Sequence, residues 1–374
     1  MGIVQRIAAT GATAEDPELI EAVRDSVRAF AKTRPAHDSA VDRAEEWRQV
    51  AEAGWLGLLA EEGVGGSALS VEIMAALHEE LGRGGVTRPY SAVTTLSLIA
   101  LDQCAEGKLR DALLSGLVAG EACPVLCWQE QPGQDEQTLP FVALDAGAGP
   151  VAFTRILIDL ADMATHFCIP AERDGTPGLI LLERNHPGAI LSLVPSLSGS
   201  EVGHLAFNGE IPSEAFLPFI MADALAPAFR LTRIAAAAQL SGLCAQINAM
   251  TADYAGQRVQ FGKAIATNQV VQHRLVDMWM EQTLAAAAVA YAARSCGAEQ
   301  EAELASLAAK ARAWQAADVV TRGAFQLHGA IGYTGEYPLG GMVRGCLALM
   351  AWLGSANALR RRFVAIERER KQAA

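Results

Sequence analysis

Hydrophobic residues change their period twice along this chain of 374 residues, and each change limits what the segment can become. From Asp16 to about Val118 they recur at threes and fours: Leu19, Ile20, Val23, Val27 and Phe30 fall on one helical face, and Trp47 to Leu59 repeats the pattern. The stretch Glu62-Gly-Val-Gly-Gly-Ser67 interrupts it, because three glycines in four positions do not hold a helix. Ser70 is then placed to cap a helix over Val71–Gly82, with Ile73, Met74, Leu77 and Leu81 inward. From about Glu121 to Pro218 the apolar runs shorten to strand length, as in Cys123–Trp128, Ile156–Ile158, Gly178–Leu182 and Ile190–Val194, with Pro, Gly and Asp-Gly turns between them. Beyond Asp223 the helical period returns, and Phe229–Arg258, Asn268–Gly297, Glu299–Leu327 and Val343–Lys371 predict four long helices of an antiparallel bundle. The first is poor in charge and is expected at the bundle centre. The fold class is α+β: an N-terminal α-helical domain over 1–120, a middle β domain over 121–222 and a C-terminal helix bundle over 223–374.

That division suits the length, since single cores stop growing at about 250–300 residues. The formal net charge of −12 argues against nucleic acid, which asks for clustered Lys and Arg. Seven cysteines, an odd number without a C-x-x-C pair, fit buried thiols in a reduced, cytoplasmic setting better than a disulfide framework. No H-E-x-x-H or Cys/His spacing points to a metal. Met1 to Asp16 lacks an apolar run, so no cleaved leader is expected. The alanine-rich segments near Ala235 and Ala285 carry Arg, Asp and Gln too often to span a membrane.

The most specific chemistry lies in two stretches of the C-terminal region. Arg258-Val-Gln-Phe261-Gly262-Lys263 joins a basic residue, an aromatic and a glycine turn, closed by a capping Asn268 and the amide of Gln269. Gln326-Leu-His328-Gly329-Ala-Ile-Gly332 runs on through Glu336-Tyr337-Pro338. Taken singly they allow a bland reading, in which Arg258 caps its helix and the glycines make a turn. Together, and with Trp47 to Leu58, Gly65-Gly66-Ser67 and Glu79-Glu80-Leu81-Gly82-Arg83 ahead of them, the chain resembles the acyl-CoA dehydrogenase family over nearly its whole length.

The resemblance implies a fold of N-terminal helices, a β-barrel-like middle domain and a C-terminal four-helix bundle. It implies FAD-dependent α,β-desaturation of an acyl-CoA thioester, with electron-transfer flavoprotein as acceptor. In the family, both motifs reach across a dimer interface to the ADP part of FAD held by the neighbouring subunit. Carried over, the expected cofactor-binding residues are Arg258, Phe261, Gln269, Gln326, Gly329 and Gly332. The chemistry agrees: a guanidinium fork suits a pyrophosphate, Phe261 offers a flat apolar surface, and the glycines let backbone N–H groups come close.

The chain departs from the family where the reaction needs a base. Desaturation takes the α-proton onto a glutamate, whose pKa burial can raise towards neutrality. At one family position Trp352-Leu353-Gly354-Ser355 stands for Tyr-Glu-Gly-Thr, which puts Leu353 at the base; at the other, on the first bundle helix, the match falls on Thr232. Neither side chain accepts a proton at neutral pH, so no catalytic residue is expected. The flavin-ring segments are altered too: Cys127 to Asp135 replaces a Thr-Glu-Pro and Gly-Ser-Asp region, and Arg155 to Asp159 replaces a Trp-Ile-Thr strand.

What is kept would serve a neighbour's cofactor and what is lost would serve the chain's own. The expectation is a subunit of a hetero-oligomeric acyl-CoA dehydrogenase for bulky thioesters such as steroid side chains, with the base and the flavin-ring contacts on a homologous partner. A homo-oligomeric flavoenzyme of other chemistry, such as a monooxygenase, and a non-catalytic scaffold stand behind it. Among single residues, His328 is expected to be structural, Glu336 a local turn residue, Asp159 a strand-end residue and Cys127 a buried thiol. The tail from Arg360 to Lys371 is expected to be a solvated helix end with i,i+4 pairs.

Overall fold

The computed structural model describes residues 2–10, 17–34, 41–144, 149–297 and 299–373. The predicted helix start at Asp16 lies outside them. The N-terminal region is helical: α1 (Ile3–Thr10), α2 (Pro17–Thr33), α3 (Arg43–Glu52), α4 (Val71–Arg83), α5 (Leu98–Asp102), which a π-helical turn at Ala92–Ser97 leads into, and α6 (Lys108–Val118). Ser70 caps α4 as expected, its hydroxyl accepting from the Ile73 N–H, and Asp42 caps α3 through the N–H groups of Ala44 and Glu45. The glycine stretch after Glu61 forms only a short 3-10 turn, Glu62–Val64.

Eight strands follow among the described residues: β1 (Pro124–Leu126), β2 (Val142–Leu144), β3 (Val151–Ile158), β4 (His166–Arg173), β5 (Thr176–Glu183), β6 (Ala189–Pro195), β7 (Glu201–Gly209) and β8 (Phe216–Pro218). They lie in two sheets. One has the order β1-β4-β5-β8, with β2 also beside β4; the other is β3-β7-β6. β1 and β2 run parallel to β4, and β4–β5 is antiparallel with His166 opposite Glu183. The β3–β7 register shifts between Arg155 and Ile158, a bulge that matters below.

The chain then enters α7 (Leu225–Gln257), a small hairpin of β9 (Val259–Gln260) and β10 (Lys263–Ala264), α8 (Gln269–Arg294), α9 (Glu299–His328), α10 (Leu339–Ala351) and α11 (Ala356–Ala373). α7 is buried nearly all round over its first five turns, which explains its lack of a polar face. It packs against α9, α8 and α4. Its contact with α4 depends on paired glycines: a Cβ on Gly82 would strike the Gln239 carbonyl, and one on Gly242 the Glu79 carbonyl. The helices therefore cross backbone to backbone.

The predicted fourth helix, Val343–Lys371, is corrected. It is two helices, α10 and α11, broken at Trp352–Ser355, where Leu353 (φ 57°) and Gly354 (φ 96°) are both left-handed. Two such residues in succession cannot continue a right-handed helix. By length and composition alone Leu339–Gln372 would pass for a membrane-crossing segment, but this break divides it and more than half of its apolar window is buried in the protein.

Candidate functional site

Two regions carry chemistry. The first is an outward face where α7 and α9 end together. Tyr254, one turn before Arg258, stacks on His328 with ring centroids 4.4 Å apart, and its hydroxyl donates to the His328 carbonyl at 3.4 Å. His328 Nδ1 lies 2.9 Å from the Ala324 carbonyl and must donate to it, so Nε2 accepts from the Tyr337 hydroxyl at 3.2 Å. Burial lowers the His328 pKa, which keeps the ring neutral in this role. His328 is the structural residue expected, and it brings the two sequence motifs side by side.

On this face the Arg258 backbone caps α7, donating to the Tyr254 carbonyl at 2.8 Å. Its guanidinium is exposed and makes no hydrogen bond or ion pair among the described residues. Phe261 and Gly262 form the tip of the β9–β10 hairpin with φ 52° and 79°, and Phe261 is 100% exposed. A bulky residue in this conformation is disfavoured, and this one gains no packing in return. Phe261→Asn, which tolerates the same φ, is expected to raise the melting temperature of the isolated chain by about 1–2 °C. Thermal unfolding checks this, and a lower melting temperature would mean that the ring already packs on its own subunit.

Gln269 opens α8 and Gln326 lies in the last turn of α9, both exposed. Asn268 occupies the N-cap position but does not cap: its Nδ2 donates instead to the Ile265 carbonyl at 3.1 Å. The glycines divide. Gly329 (φ 64°) faces open space, whereas Gly332 is buried, and a Cβ there would press on Leu339, Phe325 and His328 at 3.2–3.3 Å. Its missing side chain makes room inside the protein, not for a ligand.

Sequence reading missed the surface beside these residues. Along α8, Val276, Trp279, Met280, Leu284 and Tyr291 stand exposed, Trp279 at 60%. They recur at threes and fours on the face opposite the buried Met278, Gln282 and Ala285, so the signal was present as a second apolar stripe. Such an exposed apolar face marks an association surface.

The second region is a cavity of about 790 Å³ between the middle domain and the α10–α11 break. Leu353 lines it, held there by its left-handed backbone. Thr232 does not line it; buried in α7, its hydroxyl donates to the Ala228 carbonyl at 2.6 Å. A strap from Trp128 to Pro140 covers one side. Buried Arg155 pins both roots of the strap, reaching the Cys127 carbonyl (3.1 Å), Glu130 (2.5 Å) and the Pro140 carbonyl (2.6 Å). Glu136 anchors its middle to Arg233 of α7 and Arg362 of α11, and both arginines also hold Glu303 of α9 at 2.6 and 2.7 Å.

The tail is a helix end with Arg360, Arg361 and Arg368 to Lys371 exposed, as expected, and the reading is corrected only at Arg362 and in the pairing. Arg362 belongs to the four-membered cluster and Arg361 lines the cavity, while Glu367–Arg370 pair at i,i+3 rather than i,i+4. Cys127 is buried and its thiol is pushed well up, as expected of a structural cysteine. Glu336 is exposed and does not line the cavity. Asp159 directly follows β3, in keeping with its reading as a turn or strand-end residue, and also lines the cavity.

Comparison with known proteins gives the family and the fold. The family models for the acyl-CoA dehydrogenase N-terminal domain and C-terminal domain match residues 17–121 and 223–366, together well over half the chain. Acyl-CoA dehydrogenase FadE27 of Mycobacterium tuberculosis is 26% identical over 338 residues, covering 86% of this chain and 87% of that protein. Among solved structures, the ChsE4–ChsE5 complex from Mycobacterium tuberculosis shares the fold with a TM-score of 0.81 at 24% identity, over 93% of this chain and 95% of that one. The FAD complex of PigA does so with a TM-score of 0.81 at 22% identity, over 94% and 97%.

Proposed function

The chain belongs to the acyl-CoA dehydrogenase family, whose members are oxidoreductases acting on CH–CH donors, and we propose that it is the cofactor-lending subunit of a hetero-oligomeric member. In this reading a homologous partner carries the catalytic carboxylate and the flavin-ring contacts. The observation that carries it is a split: the exposed donors of the Arg258 face are intact, while the two positions matched to the family's base hold Leu353, which lines the cavity, and Thr232, which is buried in α7.

The cofactor is FAD, and the residues of the outward face fit its ADP half. Arg258 has an unengaged guanidinium, Gln269 and Gln326 have exposed amides, and Gly329 leaves the backbone open beside them. That donor set suits a pyrophosphate and ribose hydroxyls, with the Phe261 ring as an apolar cover. Gly332 supports the turn from within. When bound, FAD supplies a hydride acceptor for the β-carbon of the acyl thioester. This chain's part is to hold the nucleotide end in register, so that the proton transfer occurs on the partner.

The apolar stripe on α8 supports association with such a partner, since a stripe of this size is seldom left in water. The substrate is a bulky acyl-CoA, steroid side chains included, the electron acceptor an electron-transfer flavoprotein and the setting cytoplasmic. Seven free cysteines support a reducing compartment. The test is expression alone and with a homologous genomic neighbour, reading flavin absorbance and acyl-CoA oxidation. Flavin and turnover are expected only from the pair; full flavin loading and turnover by the lone chain would refute the assignment.

A further inference from the structure

The strap from Trp128 to Pro140 is held unevenly. Its roots are fixed to β3 by Arg155, which is fully buried, lies 5.4 Å from the centre of the Phe153 ring and donates to the Cys127 and Pro140 carbonyls. The Ile156 N–H donates to the Gln129 carbonyl at 2.8 Å at the first root, and Leu139 packs against the core near the second. Between the roots the strap bonds to itself. The Gln134 N–H donates to the Gln131 carbonyl at 3.2 Å, the Thr138 N–H to the Asp135 carbonyl at 3.1 Å, and Gln134 Nε2 to the Thr138 carbonyl at 2.6 Å. Among the described residues, the stretch from Gln131 to Leu139 makes hydrogen bonds or ion pairs to the rest of the chain only through Glu136. The Glu136 side chain is 9% exposed, whereas Gln131, Pro132, Gly133, Asp135, Gln137 and Thr138 all stand in solvent.

We propose that the strap is a gate over the cavity, with Arg155 holding its hinges and the Glu136 carboxylate as its single latch. A segment with fixed ends, an internal turn of its own and one buried polar attachment has two arrangements open to it, attached and released. The strap lines the cavity with Pro132, Gly133, Gln134, Asp135 and Glu136, and the α10–α11 break lines it with Trp352 and Leu353. Release of Glu136 lets the turn swing out on its roots and uncovers the break.

The receiving half of the latch stands without the strap. Glu303 of α9 bonds Arg233 and Arg362 at 2.6 and 2.7 Å, and Arg233 also donates to the Ser306 hydroxyl at 3.1 Å. When Glu136 leaves, both arginines keep a carboxylate and their positions, so the strap returns to a preformed seat. The two carboxylates of the cluster therefore differ in what they hold: Glu303 joins helices to one another, and Glu136 joins the strap to the helices.

The experiment reads the rate at which iodoacetamide alkylates Leu353→Cys in the full chain, with peptide mass spectrometry separating that site from the native cysteines. Leu353 is buried in the cavity wall, and the fully buried Cys244 of α7 reports loss of the fold. Alkylation of Leu353→Cys is expected to be about 10- to 100-fold faster when Glu136→Gln is added, the range of a lost charge-assisted hydrogen bond, and little changed when Glu303→Gln is added instead. Cys244 should stay protected in both. Equal acceleration by the two substitutions overturns the gate, because the cluster then loosens as a whole. No acceleration by Glu136→Gln overturns it too, since the cavity is then reached without moving the strap. So does alkylation of Cys244 together with Leu353→Cys, which would make Glu136 a support of the core. Opening needs no ligand, so none of these outcomes bears on the acyl-CoA reading.

Discussion

Arg258→Ala is expected to weaken FAD in the assembled complex by about 10- to 100-fold, the loss typical of a charge-assisted contact to phosphate. The melting temperature of the isolated chain should not change, because the exposed Arg258 guanidinium makes no hydrogen bond or ion pair among the described residues and its backbone cap survives the substitution. Arg258→Lys should recover only part of the affinity, since an ammonium keeps the charge and loses the fork. Fluorescence titration of the apo complex with FAD measures the effect. Unchanged affinity in Arg258→Ala would take this residue off the cofactor.

Arg233→Met should act in the opposite manner, on the fold and not on the outward face. Arg233 is fully buried and bonds Glu136, both Glu303 oxygens and the Ser306 hydroxyl. Its removal leaves two largely buried carboxylates sharing Arg362 alone, and breaking a buried charge cluster on one side destabilises by about 3–5 kcal/mol. Denaturant unfolding is expected to reveal a loss of that size, and Glu136→Gln added to Arg233→Met should restore part of it by removing one orphaned charge. A loss under about 1 kcal/mol would mean that the cluster is solvated and the strap already loose.

Much of this architecture was legible in the sequence, for identifiable reasons. The alternation of helical, strand and helical periods survives tertiary packing, so the order of elements follows from Leu19, Ile20 and Val23 and their like. Ser70 was readable as a cap because its partner lies three residues away. The break at Leu353 was not, because a left-handed leucine carries no compositional mark and only Gly354 beside it hinted at a stop. Contacts distant in sequence were equally hidden. Glu136 and Arg362 are 226 residues apart, so Arg362 read as one more charge on a solvated helix.

The site divides in the same way. Arg258, Phe261 and Gln326 could be proposed because their spacing matches a family motif, and the stacking of Tyr254 on His328 supplies the physical link between the two stretches that spacing could not. Gly332 matched the motif as well as Gly329 did, yet only the fold reveals that it faces inward. Asp159 was legible as the residue that ends a strand, and only the fold brings it to a chamber assembled from the middle domain, the strap and the α10–α11 break.

Whether this chain lends half of a cofactor site and relies on a partner for the chemistry is tested most directly by isolating the complex from its native cell and counting bound flavin per chain. One FAD for each pair of unlike chains is the predicted result. A complex of this chain alone, with one FAD in every subunit, would contradict it.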